Sequence, residues 1–221
     1  MKAGKKRNGI LAVCFLAAFA LWTLAVCAVD VQPIGPRGSS VGFAALNGFV
    51  HRLTGVHMAF YTITDWLGLV PIAVAFGFAL LGLIQWIRRR RLSAVDRSLF
   101  VLGGFYVVVM AVFVFFECFV VNRRPVLIND VLEASYPSST TMLVMCIMPT
   151  AVTQLNERIQ NNALRRGISI AMTAFVVFMV TFRLLSGVHW VTDIIGGALL
   201  SGGLVMGHAW MHQFVAKDRK V

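Results

Sequence analysis

The chain has 221 residues, of which 58% are hydrophobic and only 13% are charged. About a quarter of the residues in soluble globular proteins are charged, so this composition excludes an ordinary soluble domain and indicates an integral membrane protein. The formal net charge of +11 does not indicate nucleic-acid binding, because the basic residues lie in short stretches between apolar runs. We predict a single domain over residues 1–221.

The N-terminal third predicts two spans joined by a mixed segment. Residues 8–29 are uncharged for 22 residues, which is long enough for an uncleaved membrane span and too long for a signal-peptide core. Residues 30–65 are broken by proline and glycine, and residues 41–53 predict a short helix at the membrane interface. The second span follows at residues 66–87.

Four further apolar runs complete an all-α bundle of six transmembrane helices. They cover residues 98–121, 138–156, 168–185 and 194–216. In the last run, Gly197 and Ser201 are four residues apart, as are Gly203 and Gly207, and this spacing of small residues predicts close helix packing within the bundle.

The distribution of basic residues predicts the orientation of the bundle. With six spans, 15 of the 20 Lys and Arg residues lie on the side that holds both termini. Because positive residues favour the inner side of a membrane, both termini are predicted to be cytoplasmic. Three polar clusters then meet at the outer face of the cell membrane, around Arg124, residues 137–141 and residues 183–193.

The third cluster carries the clearest chemistry. Arg183 ends one apolar run, and His189 and Asp193 follow before the next run. If the last helix includes His189, this histidine and Asp193 lie one turn apart on the same face. A carboxylate there holds one imidazole nitrogen and leaves the other free as a base or nucleophile, while the arginine attracts an anion.

The second cluster and the cysteines add two expectations. Pro137, Ser138 and Ser139 lie at the start of the fourth predicted span, where backbone N–H groups and the positive end of a helix dipole favour phosphate. The four cysteines lie within apolar runs at spacings that indicate neither a disulfide framework nor a zinc site. We expect no cofactor, and no acidic cluster on the outer face suggests a metal site.

Together the three clusters resemble the signature of the type 2 phosphatidic acid phosphatase superfamily, the membrane lipid phosphate phosphatases. Its first motif is a lysine followed after six residues by Arg-Pro, its second is Pro-Ser-Gly-His, and its third places Arg, His and Asp at fixed spacing. The matching segments here are Glu117…Arg124-Pro125, Pro137-Ser138-Ser139-Thr140 and Arg183…His189…Asp193. The first two motifs are divergent.

The resemblance implies a phosphatase that works through a phosphohistidine. His189 is then the nucleophile, and Asp193 orients it and stabilises the imidazolium. Phosphoryl oxygens are expected to be held by the remaining motif residues, which are Arg124, Arg183, Ser138, Ser139, Thr140 and Arg123. The expected partners are a phosphorylated lipid and the bilayer, with no nucleic acid; the oligomeric state stays open.

Two departures from the motifs bear on the substrate. Glu117 stands where the family has lysine, so either Arg123 supplies the missing charge or Glu117 pairs with an arginine. Thr140 stands where the family has a histidine that protonates the leaving group, and threonine is not an acid at neutral pH. A phosphate leaving from a diphosphate needs little protonation, so a polyprenyl diphosphate such as undecaprenyl diphosphate is the favoured substrate.

Two alternatives remain beside the phosphatase. The first alternative is a weakly active or inactive family member that binds phosphorylated lipid or serves as a membrane partner or transporter. The second is a phosphotransferase that passes the phosphoryl group to another acceptor. A fold alone does not separate these functions.

Overall fold

The computed structural model describes residues 2–215, and their side chains from residue 6 onward. This part of the chain is helical, with two single-turn helices at Pro36–Gly38 and Leu92–Ala94 and only isolated bridges between extended residues. The helices are α1 (Lys2–Ala28), α2 (Ala44–Thr54), α3 (Met58–Leu67), α4 (Leu69–Arg89), α5 (Arg97–Cys118), α6 (Ser139–Arg158), α7 (Asn162–Leu185) and α8 (Val191–Val215).

Five segments of the described chain are long and apolar enough to cross a membrane: α1, the nearly continuous α3–α4 pair, α5, α7 and α8. The fourth predicted span forms α6, which has 20 residues but is less apolar than the others. Helix α6 contacts α4, α5, α7 and α8. Within it, Thr150 and Gln154 are buried and hydrogen-bonded. The count of six spans therefore remains a prediction.

Four membrane segments begin three or more residues earlier than the sequence predicted, the first of them α1, which starts at Lys2 rather than at residue 8. The second membrane segment starts at Met58 rather than at residue 66, because only one residue separates α3 from α4. Helix α7 starts at Asn162 rather than 168, since the Asn161 side chain caps it by accepting hydrogen bonds from two backbone N–H groups. Helix α8 starts at Val191 rather than 194. Residue 216, the predicted end of the last span, lies outside the described residues.

Helix α8 packs closely against α1 and α6 through its small residues, as predicted. A Cβ at Gly203 would lie 2.7 Å from the Leu16 side chain, and one at Gly197 would lie 3.1 Å from the Ser138 carbonyl oxygen. The Ser201 hydroxyl contacts the Met142 carbonyl at 3.4 Å. This packing fixes the first turn of α8 beside the first turn of α6, where two of the three polar clusters lie.

The short helix expected near residues 41–53 is α2, and it supports the beginning of α8. The side-chain amide of Asn47 donates to the Thr192 hydroxyl at 3.0 Å. Its oxygen lies 3.3 Å from the Thr192 backbone nitrogen, which donates to it. Both residues are completely buried. The amide of Asn47 therefore holds the N-terminal turn of α8 in place.

Candidate active site

A tight turn joins α7 to α8 and carries His189. Gly187 lies in the left-handed region at φ 67°, and a Cβ there would meet the Gly55 carbonyl oxygen at 1.9 Å. Only glycine therefore fits this close approach between the turn and the loop that follows α2. His189 is 3% exposed and precedes α8. The histidine and Asp193 are thus neighbours across a helix start and do not lie on successive turns of one helix.

The backbone fixes the tautomer of His189. Its Nδ1 lies 3.2 Å from the carbonyl oxygen of Ser135 and 3.7 Å from Oδ2 of Asp193. A carbonyl oxygen only accepts hydrogen bonds, so Nδ1 carries the proton and donates it to Ser135. Nε2 is then the nitrogen with the free lone pair, and it is buried without a hydrogen-bond partner among the described residues. This arrangement leaves one nucleophilic nitrogen available for a ligand.

Burial and nearby positive charge keep this imidazole neutral. Burial lowers the pKa of His189 well below its usual range, and Arg183 and Arg124 lower it further, while the hydrogen bond to Ser135 raises it. A histidine acts as a nucleophile only when it is neutral. At neutral pH the free protein therefore favours the neutral imidazole of His189.

Asp193 connects all three polar clusters. Its Oδ2 accepts a hydrogen bond from the backbone N–H of Trp190 at 3.0 Å, and its Oδ1 accepts one from the side chain of Asn122 at 3.3 Å. Its carbonyl oxygen accepts from the N–H of Ser138 at 3.1 Å. Asp193 is completely buried. It therefore fixes the turn that carries His189, in addition to its position beside Nδ1.

Two arginines from different clusters lie over the same aromatic ring. The guanidinium carbons of Arg183 and Arg124 are 4.9 Å and 5.8 Å from the centre of the Tyr61 ring. Arg183 is 1% exposed and donates to the Thr64 hydroxyl at 3.3 Å, with Asp65 at 4.0 Å. Cation–π contacts of this kind hold guanidinium planes in fixed positions.

Both arginines have N–H groups without a hydrogen-bond acceptor among the described residues. Arg124 uses one terminal nitrogen in an ion pair with Glu133 at 3.0 Å, while its Nε and Nη1 are buried without a hydrogen-bond partner in the described part of the chain. Nε of Arg183 is buried and unsatisfied in the same way. Buried unpaired donors cost free energy, and an oxyanion between the two guanidinium groups would satisfy them.

The second cluster forms the start of α6. Ser138 is its N-cap: the hydroxyl accepts from the N–H of Thr141 at 3.5 Å, and its own N–H is bound to Asp193. Both polar groups of Ser138 are therefore engaged within the protein. Ser139 and Thr140 form the first turn and are half-buried, and N–H groups at this position have no acceptor within the helix.

Arg123 is not brought together with the other predicted site residues. It is exposed, and its guanidinium donates to the Leu132 carbonyl at 2.9 Å. Its carbonyl oxygen accepts from the Trp190 indole at 2.8 Å. Backbone pairing between residues 122–124 and 133–135 positions Arg124 and the Ser135 carbonyl, but it directs Arg123 to the surface. We therefore leave Arg123 out of the phosphate site.

Several residues of the site were missed from the sequence. Tyr61 and Thr64 were placed in a mixed segment before the second span, although the ten residues of α3 contain no proline or glycine to break a helix. Ser135 acts through its backbone carbonyl, which no side-chain pattern reveals. The only sequence signal for Asn122 and Glu133 is that they lie with Arg124 in the segment between α5 and α6.

The described residues contain no group of three or more His, Cys, Asp or Glu side chains placed to hold a metal ion.

Comparison with known proteins agrees with the motifs. Residues 118–219 match the family model of the PAP2 superfamily. Among solved structures, the chain is similar to the first transmembrane PAP2 type phosphatidylglycerolphosphate phosphatase from Bacillus subtilis, with a TM-score of 0.53 and 18% identity. The match covers 96% of this chain and 97% of that chain. No curated protein matches the chain.

The resemblance inferred from the three motifs is therefore confirmed over residues 118–219, which match the model of the PAP2 superfamily. They contain every predicted site residue. The chain has the fold of a PAP2-type membrane phosphatase. At 18% identity the similar structure shows the fold alone, and the roles of individual residues rest on the geometry of this site.

Proposed function

We propose that this chain is an integral membrane phosphatase that removes a phosphate from a lipid phosphate or diphosphate through a phosphohistidine at His189. The observation that carries the proposal is the neutral imidazole with a free Nε2, held near two arginines whose buried N–H groups lack partners. We place the site at the outer face of the membrane, on a bundle of six spans with both termini cytoplasmic.

The geometry supports an in-line displacement. Nε2 of His189 attacks the terminal phosphorus, the bond from phosphorus to the leaving oxygen breaks, and the leaving group departs with that electron pair. Arg124 and Arg183 stabilise the charge on the equatorial oxygens, which is the main requirement of phosphoryl transfer. The Ser135 carbonyl and Asp193 stabilise the proton on Nδ1 as the ring becomes positive. Water then hydrolyses the phosphohistidine.

The proposed substrate class follows from Thr140. This residue is half-buried in the first turn of α6. A hydroxyl at this position does not protonate an alkoxide leaving group, whereas the lipid monophosphate that is the leaving group of a diphosphate departs readily without a proton. We therefore favour a polyprenyl diphosphate, with undecaprenyl diphosphate as the example. Phosphatidylglycerolphosphate belongs in any substrate panel because the similar Bacillus protein is named for it.

The Thr140→His variant tests this choice of substrate. It should raise the rate on phosphatidic acid and phosphatidylglycerolphosphate by about tenfold or more, and change the rate on farnesyl diphosphate little, because only an alcohol leaving group gains from a proton. Phosphate release by purified protein is measured for each lipid. Thr140→Gln is the matched control, since it adds bulk without an acid. Equal gains on both substrate classes would refute the leaving-group argument.

Cysteine labelling tests the proposed orientation. In a variant without the four native cysteines, single cysteines at the exposed positions Ser40 and Val131 should react with an impermeant maleimide in intact cells. Cysteines at Ser93 and Asn162 should react only after permeabilisation. The expectation follows from the excess of basic residues beside the latter two positions. Labelling in the opposite pattern would move the site to the inner face.

A non-catalytic lipid-binding role is the second candidate, and one contact favours it. The ion pair between Arg124 and Glu133 already partly neutralises one phosphate-binding arginine. A protein that binds phosphorylated lipid without turnover needs neither a leaving-group acid nor a base. This candidate predicts saturable binding of farnesyl diphosphate to the purified protein with no phosphate release from any lipid.

A further inference from the structure

Glu117 lines the same narrow cleft as His189 and has no role in the steps above. It occupies the last turn of α5, and its side chain is exposed. Ser135 and Ser139 line the same cleft. The cleft therefore brings together Glu117, His189, the residue whose carbonyl orients that histidine, and the first turn of α6.

The other carboxylates around the site are already engaged. Asp193 accepts hydrogen bonds on both side-chain oxygens, Glu133 is paired with Arg124, and Asp65 lies 4.0 Å from Arg183. The side chain of Glu117 has no hydrogen bond or ion pair with the described residues, so of the two alternatives for this position the pairing of Glu117 with an arginine is not found among them. It is the carboxylate at the site that remains available to accept a proton.

We infer that Glu117 is the general base that activates water for hydrolysis of the phosphohistidine, a role that rests on the phosphatase function proposed above. A water O–H bond breaks, and its proton passes to the Glu117 carboxylate. The water oxygen bonds to phosphorus, the bond between phosphorus and Nε2 of His189 breaks, and its electron pair returns to the imidazole. Glu117, whose side chain is exposed in the last turn of α5, then passes the proton to another water molecule.

This role explains why an acidic side chain is tolerated beside a phosphate site. A carboxylate weakens binding of an anionic substrate, so lysine suits the binding step better at this position. With Thr140 in the first turn of α6, however, no histidine is present there to exchange protons. A diphosphate leaving group makes the first step independent of an acid, but the attacking water of the second step must still lose a proton. Glu117 meets that requirement.

The Glu117→Gln variant separates the two steps. With farnesyl diphosphate as the probe, steady-state phosphate release should fall by about 10²- to 10⁴-fold, the typical effect of removing a general base. Rapid-quench measurements should still show a fast burst of farnesyl monophosphate, and phosphorylated protein should accumulate that is stable to alkali and labile to acid. Glu117→Asp should retain more turnover than Glu117→Gln, because aspartate keeps a carboxylate on a shorter side chain.

The possible outcomes distinguish this inference from the function on which it rests. Wild-type protein that releases no phosphate from any lipid contradicts the phosphatase itself. Active wild type with an equally active Glu117→Gln variant overturns the role of Glu117 alone. A variant that loses both turnover and the burst also overturns it, because Glu117 then acts in binding or in the first step. Adding His189→Ala to Glu117→Gln should abolish the phosphorylated species and thereby identify its site.

Discussion

Replacing His189 by alanine is expected to lower phosphate release by on the order of 10⁴- to 10⁶-fold, the range seen when a covalent nucleophile is removed. Nε2 of His189 is buried without a hydrogen-bond partner among the described residues, and both Arg183 and Arg124 act electrostatically on this imidazole. The fold should survive, because the imidazole contributes one hydrogen bond, to Ser135, and the turn itself is held by Asp193. Turnover of farnesyl diphosphate and the elution profile in detergent provide the two measurements.

His57→Ala is the matched control for this variant. His57 is exposed and its ring contacts the Thr54 carbonyl, so its loss should change turnover by less than about twofold. A His189→Ala protein that elutes normally and retains more than a few per cent of wild-type activity would exclude His189 as the nucleophile. Loss of activity in both variants would instead indicate general damage to the loop and the turn that pack together around Gly187.

The second large effect is expected at Arg124, where lysine should lower kcat/KM by about 10²- to 10³-fold, the cost of removing a donor to the transition state. Lysine retains the charge, but it cannot reproduce the Nε and Nη1 donors that Arg124 leaves unpaired beside Arg183. The neighbouring substitution Arg123→Lys is the matched comparison, because that side chain is exposed and binds a carbonyl at the surface.

The difference between these two adjacent variants is the informative quantity. Kinetics over a range of farnesyl diphosphate concentrations should show the loss mainly in kcat if Arg124 acts on the transition state, and mainly in KM if it only binds the substrate. A loss for Arg123→Lys as large as that for Arg124→Lys would mean that the surface segment between α5 and α6 was disturbed as a whole. Such a result would contradict the assignment of Arg124 to the phosphate.

The fold could be predicted largely because a membrane imposes simple requirements. A span needs about 20 residues that are mostly apolar, and five helical segments meet that condition in the described chain. Helix α6 is not among these segments, and it includes the buried polar residues Thr150 and Gln154. The early starts of α3 and α7 were missed because the predicted spans began only after Asp65 and Gly167, whereas each helix extends through several polar residues before them.

The site was predictable only where side chains carry the chemistry at fixed spacing. The third cluster could be identified because Arg183, His189 and Asp193 follow one another closely in sequence. The Ser135 carbonyl accepts the hydrogen bond from the histidine. Because every residue has a backbone carbonyl, the sequence does not show which one acts as this acceptor. Tyr61 reaches the arginines from a helix more than 60 residues earlier in the chain, a contact that only tertiary packing defines.

The most direct test is to find the covalent intermediate on the wild-type protein. Purified protein is mixed with farnesyl diphosphate labelled in the terminal phosphate, quenched in alkali within milliseconds and digested under alkaline conditions for peptide mapping. The label is expected on His189, at a level that rises before steady-state release begins, and it should be absent from His189→Ala protein treated in parallel. Turnover with the label on another residue, or labelling that persists in His189→Ala, would contradict a phosphohistidine mechanism at this site.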